Sequence, residues 1–196
     1  KLHPLWYSAY LPVYFFVSSI FAGMSMVIVE GGLAHRYLRA KMDETHLAES
    51  HGVVLGFAKA ASFVMMGYAG IKVIGIALDD NWRHLATGWG LWYLLEVVGL
   101  VLLPAFLFAL AAREKRIGLA RLAAVLTVLG VVLNRLNISI IAFNWHLPAS
   151  QRYIPSLMEV GTSIFIVTLG VVAYRFIANR MPILFVHPQY QTEEDH

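Results

Sequence analysis

"LAAVLTVLGVVLNRLNISIIAFNW", residues 122–145, decides the fold class. From Leu122 to Leu133 it carries one hydroxyl and no charge, and a stretch this apolar and this long is a membrane-spanning helix. At 1.5 Å of rise per residue, about 20 such residues cross about 30 Å of hydrocarbon. The same stretch then departs from that pattern, because Asn134, Asn137, Ile141 and Asn144 recur at spacings of three, four and three, with Arg135 beside them. Those spacings put three amides on one helix stripe. A lone asparagine in a membrane helix bonds a neighbouring helix. Three on one stripe with an arginine suit a polar cavity or a partner contact as well as they suit helix bracing.

Working outward, four more segments have the required length and hydropathy. The expected spans lie near 10–34, 53–78, 88–112, 119–144 and 157–178, so the chain reads as an all-α, polytopic membrane bundle of about five helices. Residues 1–186 form the bundle and 187–196 a polar tail. Whole-chain composition agrees: of 196 residues, 59% are hydrophobic and 14% charged, and the mean hydropathy is +0.65, well above ordinary soluble usage. The net charge of +3 is spread over short connections rather than one basic tract, which argues against nucleic acid as a partner.

Counting Lys and Arg on alternate sides of five spans gives an orientation. Arg36, Arg39, Lys41, Arg113, Lys115, Arg116, Arg121, Arg175 and Arg180 fall on one side, against Lys1, Arg83 and Arg152 on the other. The basic side is expected in the cytoplasm, with the amino end outside and the carboxyl end inside. Trp6, Tyr7, Tyr10, Trp82, Trp89, Trp92, Trp145 and Tyr153 gather at the outer ends, where amphipathic rings favour the interface.

Six charges sit within the spans or at their ends. An ionised group facing lipid at mid-span costs about 2.5 to 3.5 kcal/mol on insertion scales, so each is expected to face protein or water and to find a partner, ion pairs first. Helical rise places Glu30 and Lys59 in the inner half, and Lys72, Glu96, Arg135 and Glu159 in the outer half. The inner pair and Glu96 are candidates for a proton path. The outer group, with Asn134, Asn137, Asn144, His3 and Trp6, is the candidate polar cluster lining a ligand cavity or facing a partner.

Other chemistries are poorly served. With no cysteine, the chain lacks thiolate ligands for zinc or iron–sulfur clusters. His3, His46, His84, His146, His187 and His196 lie on loops or ends, and only His35 and His51 share a depth, so haem ligation through that pair is not expected and no metal site is assigned. Gly67, Gly70 and Gly75 on the second span read as close helix contacts rather than a phosphate loop. No phosphate-binding loop, nucleophile elbow or His-Glu-x-x-His motif occurs.

Three stretches carry a family resemblance: "HPLWYSAYLPVYFFVSSIFAGMSMVIVE" (3–30), "LNRLNISIIAFNW" (133–145) and "RYIPSLMEVGTSIFIVTLGVVAYRFIANRMPIL" (152–184). With them the chain resembles the NrfD/polysulfide reductase family of membrane subunits, closest to the integral membrane (so-called cytochrome b) subunit of periplasmic nickel-iron hydrogenases. Members of that family carry more than five spans, so the resemblance implies a carboxyl-terminal half. It further implies a multi-pass subunit in the cytoplasmic membrane of a bacterium or archaeon. Outer iron–sulfur and nickel-iron hydrogenase subunits would pass electrons through it to menaquinone or ubiquinone, with no haem or iron–sulfur cluster on this chain. The subunit would be non-catalytic or quinone-reacting within an oxidoreductase complex. In that family the quinone pocket is attributed mainly to an amino-terminal bundle, which leaves partner docking or proton conduction to this half. A proton or ion transporter, or a passive membrane anchor, is the alternative reading of the same charges.

Overall fold

The computed structural model describes residues 2–38, 44–153 and 155–180. The expected tail, 187–196, lies outside the described residues. The elements are α1 (Leu11–Leu38), α2 (Glu44–Leu78), α3 (Trp82–Leu85), α4 (Gly88–Val97), a π-helical turn (Val98–Leu102), α5 (Leu103–Glu114), α6 (Ile117–Asn144), a 3-10 turn (Ala149–Gln151) and α7 (Leu157–Arg180). Five helices are long and apolar enough to cross a membrane: Leu11–Ala34, Ser50–Leu78, Gly88–Glu114, Ile117–Asn144 and Leu157–Ile177. The third is α4, the π turn and α5 run together.

Four of these spans close a ring, in which α1 packs on α2 and α6, while α5 packs on α2 and α6. The buried positions explain the closure. On α1 they are Tyr14, Ser18, Phe21, Ser25 and Ile28; on α2, Val54, Ala58, Ala61, Met65, Tyr68 and Lys72. Both runs alternate spacings of four and three, the rhythm of left-handed bundles. On α6 the same rhythm runs from Ala120 through Ala124, Thr127 and Gly130 to Asn134, Asn137, Ile141 and Asn144. Large residues such as Phe16, Phe63, Leu91 and Phe106 face outward, where lipid is as apolar as they are. Association therefore rests on close packing of small residues and on interhelical hydrogen bonds. Buried Ser62 follows that rule, its Oγ donating across the helix contact to the Ala105 carbonyl at 2.8 Å, whereas buried Ser25 satisfies its hydroxyl within α1, on the Phe21 carbonyl at 2.8 Å.

The π turn has a local cause. Pro104 has no N–H for the carbonyl of Leu100, so the ladder is re-registered and Leu103 N–H reaches back to Val98. The freed Leu100 carbonyl lies against Gly130 of α6, so close that a Cβ there would sit 2.8 Å from it and 2.7 Å from Leu100 Cβ. Gly130 thus lets the third span touch α6 one turn before Asn134. At the basic end, Lys115 closes α5 in the left-handed region, φ 54°, and Arg116 leads straight into α6.

The fifth span differs. Every described side chain of α7 from Leu157 to Ile177 is exposed, and its Tyr174 hydroxyl hydrogen-bonds Glu30 of α1.

Candidate functional site

Glu96 lies eight residues into α4, on its buried face, about 12 Å of helical rise from its start. One carboxylate oxygen accepts from Asn134 Nδ2. The other accepts from Asn137 Nδ2 and from Trp6 Nε1 at 3.1 Å. Asn134 and Asn137 are neighbours on α6 because they are three residues apart, so both amides reach one carboxylate across the helix contact that Gly130 permits. All three partners are N–H donors. The site complements a group that only accepts.

Lys72 of α2 faces the same region but does not pair with Glu96. The Arg116–Glu114 ion pair, at 3.4 Å, joins neighbours in a helix connection and none of the internal charges. This corrects the expectation that the internal charges would find each other directly. Instead the buried ammonium lies 4.6 Å from the ring centre of Tyr14, 5.4 Å from Tyr93 and 5.6 Å from Tyr68. Ring faces carry negative quadrupole and hold a desolvated cation. Tyr14 reaches this position because Gly75 leaves room: a Cβ there would overlap its hydroxyl. Gly52, Gly56, Gly67 and Gly70, by contrast, meet nothing within 4 Å, so of the five α2 glycines only Gly75 makes a close contact.

Between Lys72 and Glu96 lies a small cavity of about 10 Å³, bordered also by Ser18, Tyr68, Gly130 and Asn134. That is room for about one water. A quinone ring does not fit it.

The amino-terminal segment closes the site from the aromatic end. His3 and Trp6 are both 2% exposed. The segment is tied down by His3 N–H to the Ala142 carbonyl at 3.0 Å, a turn from Trp6 N–H to His3, and Asn81 Nδ2 to the Pro4 carbonyl at 3.2 Å. The His3 ring sits edge-on to Trp6, Trp145 and His84, and its Nδ1 accepts from Leu5 N–H. Trp6 is therefore no interfacial belt residue. Its indole points inward because a buried carboxylate needs the donor, whereas Tyr7, Tyr10, Trp82 and Tyr153 remain exposed.

Burial, and then the nearby His84, pushes the His3 pKa down to about 4 from 6.5. The folded segment prefers neutral imidazole, so its stability is full above pH 6.5 and is lost as pH falls toward 4. Tryptophan emission should shift red across that window as Trp6 and Trp145 become wet. In His3→Phe the transition should disappear, and an unchanged transition would assign it elsewhere.

The other sequence candidates fall apart from this centre. Arg135 turns to α1: Nη2 donates to Ser18 Oγ at 2.7 Å, and the guanidinium lies 3.4 Å from the Phe15 ring centre. It touches the cavity only through Ser18. Asn144 caps the loop beyond α6, its Oδ1 accepting from Tyr153 N–H at 3.4 Å. Glu159 accepts from Ser156 N–H at 2.7 Å while Ser156 Oγ accepts from Glu159 N–H. That is the reciprocal cap of a helix start, and it keeps Glu159 out of the outer cluster. Tyr153 also bonds Glu159, which raises the phenol pKa. Glu30 meets Tyr174, and Lys59 lies exposed on the far side of α2. The three proton-path candidates are not brought together. His51 is exposed, and the side chain of His35 lies outside the description. No group of three or more His, Asp or Glu suited to a metal occurs among the described residues.

Sequence reasoning missed Tyr14, Tyr68, Tyr93 and Ser18. The signal was available in part: Tyr68 and Lys72 are four apart on α2, hence on one face.

Fold and site together define a multi-pass helical membrane protein organised around a buried carboxylate and a buried lysine. The polysulphide reductase NrfD family matches residues 1–144, and the chain belongs to that family. It is 61% identical over 97% of its length to a protein of Nitratidesulfovibrio vulgaris, covering 49% of that protein. It is 28% identical over 94% of its length to the probable Ni/Fe-hydrogenase 2 b-type cytochrome subunit of Escherichia coli K12, covering 46% of it. The chain thus spans about half the length of these relatives. No solved structure matches it.

Proposed function

We propose that this chain is part of the membrane subunit of a respiratory hydrogen:quinone oxidoreductase, which anchors iron–sulfur and nickel-iron hydrogenase subunits on its aromatic, outer face. Its own chemical part is to hold and pass a proton during quinone reduction. The observation that carries this reading is that buried Glu96 and buried Lys72, without forming an ion pair, line one cavity the size of a single water. Family membership and the relative named as a hydrogenase cytochrome subunit support the redox setting.

Quinone reduction consumes two protons with two electrons, and the membrane interior supplies none without titratable groups. Glu96 can release or take a proton at a carboxylate oxygen, and Lys72 at its amine, with one water bridging them. The cavity excludes a quinone ring, so no step at the ring is assigned to these residues. The tyrosine rings and Trp6 keep bulk water out, which keeps a stored proton from leaking.

Lys72→Met separates this role from a structural one. It replaces a buried cation that makes no ion pair within 4 Å by an apolar side chain of similar length, which also removes the desolvation cost of that cation. Thermal stability should hold, dye-linked hydrogen oxidation by the outer subunits should persist, and quinone-linked turnover should fall at least about tenfold, or about 1.4 kcal/mol in barrier. Wild-type quinone-linked turnover in this variant would refute the reading and favour a passive anchor. Purification of a chain that moves protons without redox subunits would favour a transporter.

A further inference from the structure

At the opposite, basic end of the bundle an open groove of about 510 Å³ runs between α2 and α5, far along both helices from Glu96. Its floor exists because Ala109 and Ala112 are short. Its apolar wall is Phe63, 83% exposed, and Met66, 55% exposed. Its mouth carries two cations, Lys59 from α2 and Arg113 from the last turn of α5. Ser62, the remaining lining residue, spends its hydroxyl on Ala105.

Charge distinguishes the occupants. No carboxylate lines the groove, and the acid next to Arg113 in sequence, Glu114, is held by Arg116 at 3.4 Å. Lys59 and Arg113 make no hydrogen bond or ion pair among the described residues. Two cations lining one groove repel, and an anion between them relieves that cost. A long lysine stem also runs along apolar surface while its head seeks the interface. Below the cations the groove is hydrocarbon-like, so its occupant carries an anionic head and an apolar tail on one molecule. Basic pockets between membrane helices on the cytoplasmic side recognise such headgroups.

We infer that the α2–α5 groove is a binding site for an anionic phospholipid, its phosphate between Lys59 and Arg113 and an acyl chain along Phe63 and Met66. The inference is independent of the redox reading, since neither Glu96 nor Lys72 takes part.

The test is a thermal melt of the full-length protein with its associated subunits in neutral detergent, titrated with phosphatidylglycerol, phosphatidylcholine, inorganic phosphate or a short-chain quinone. Phosphatidylglycerol should raise the midpoint by several degrees through binding to the folded state, and the other three should not. In Lys59→Gln/Arg113→Gln the rise should be largely lost, while Lys59→Arg should keep it. Equal shifts with the two lipids, a shift reproduced by phosphate alone or by quinone, or a phosphatidylglycerol shift undiminished in the double variant would each overturn the site. If the double variant does not fold, the comparison of ligands on the wild type and on Lys59→Arg still decides.

Discussion

Glu96→Leu should destabilise the protein by about 2 to 5 kcal/mol and release its amino-terminal segment. Single interhelical hydrogen bonds in membranes are modest, averaging about 0.6 and reaching about 1.7 kcal/mol. Glu96 takes three at once, from Trp6, Asn134 and Asn137, and all three donors are buried, where an unmet N–H carries its full desolvation cost. The loss should show as a lowered midpoint in a melt or a denaturing-detergent titration, and as protease sensitivity between Tyr7 and Tyr10. Glu96→Gln preserves shape but turns one acceptor into a donor facing other donors. It should lie between Leu and wild type in stability yet lose quinone-linked turnover as Leu does. A Leu variant that melts with the wild type and keeps its amino terminus protected would show that the network does not hold the segment.

The second large effect concerns packing. Gly130→Val should lower the melting midpoint sharply and weaken the Glu96 network without touching any of its members. The new Cβ would meet Leu100 Cβ and the Leu100 carbonyl at distances real Cβ atoms do not adopt, and one of those atoms is backbone. Overpacking of this kind costs about 1 to 3 kcal/mol when neighbours can shift. Here the neighbour is a π turn set by Pro104, so the third span must move away from α6. Asn134 then loses reach to Glu96, four residues from Leu100 on the same span, and quinone-linked turnover should fall with stability. Gly67→Ala on α2 is the control, because its methyl meets nothing within 4 Å, so the helix-propensity gain of up to about 1 kcal/mol should leave stability unchanged or slightly raised. Equal behaviour of the two variants would remove the steric argument.

Much of this architecture was legible in one dimension. The five expected spans begin within three residues of those in the structure, because burying backbone polar groups in hydrocarbon leaves a helix as the solution for an isolated apolar run. The stripe of Asn134, Asn137, Ile141 and Asn144 also proved to be one buried face, as helical spacing requires. The site was legible only in parts. Glu96, Lys72, Asn134, Asn137, His3 and Trp6 do converge, whereas Arg135, Asn144 and Glu159 share their depth and serve other ends. Depth along a helix follows from counting residues. Direction around the bundle depends on which neighbours are present.

Residue order alone requires that this chain cross a membrane in helices, marks which faces of those helices are polar, and demands that internal charges be satisfied away from lipid. Hydropathy, rise and periodicity are local quantities, and they need no knowledge of distant residues. It takes the packed helices to show that Lys72 is satisfied by three tyrosine rings rather than by Glu96, that Trp6 donates across 90 residues to that carboxylate, and that Glu159 caps its own helix. Those outcomes turn on side-chain reach across helix contacts, and Gly75, Gly130 and Pro104 set how close the backbones come.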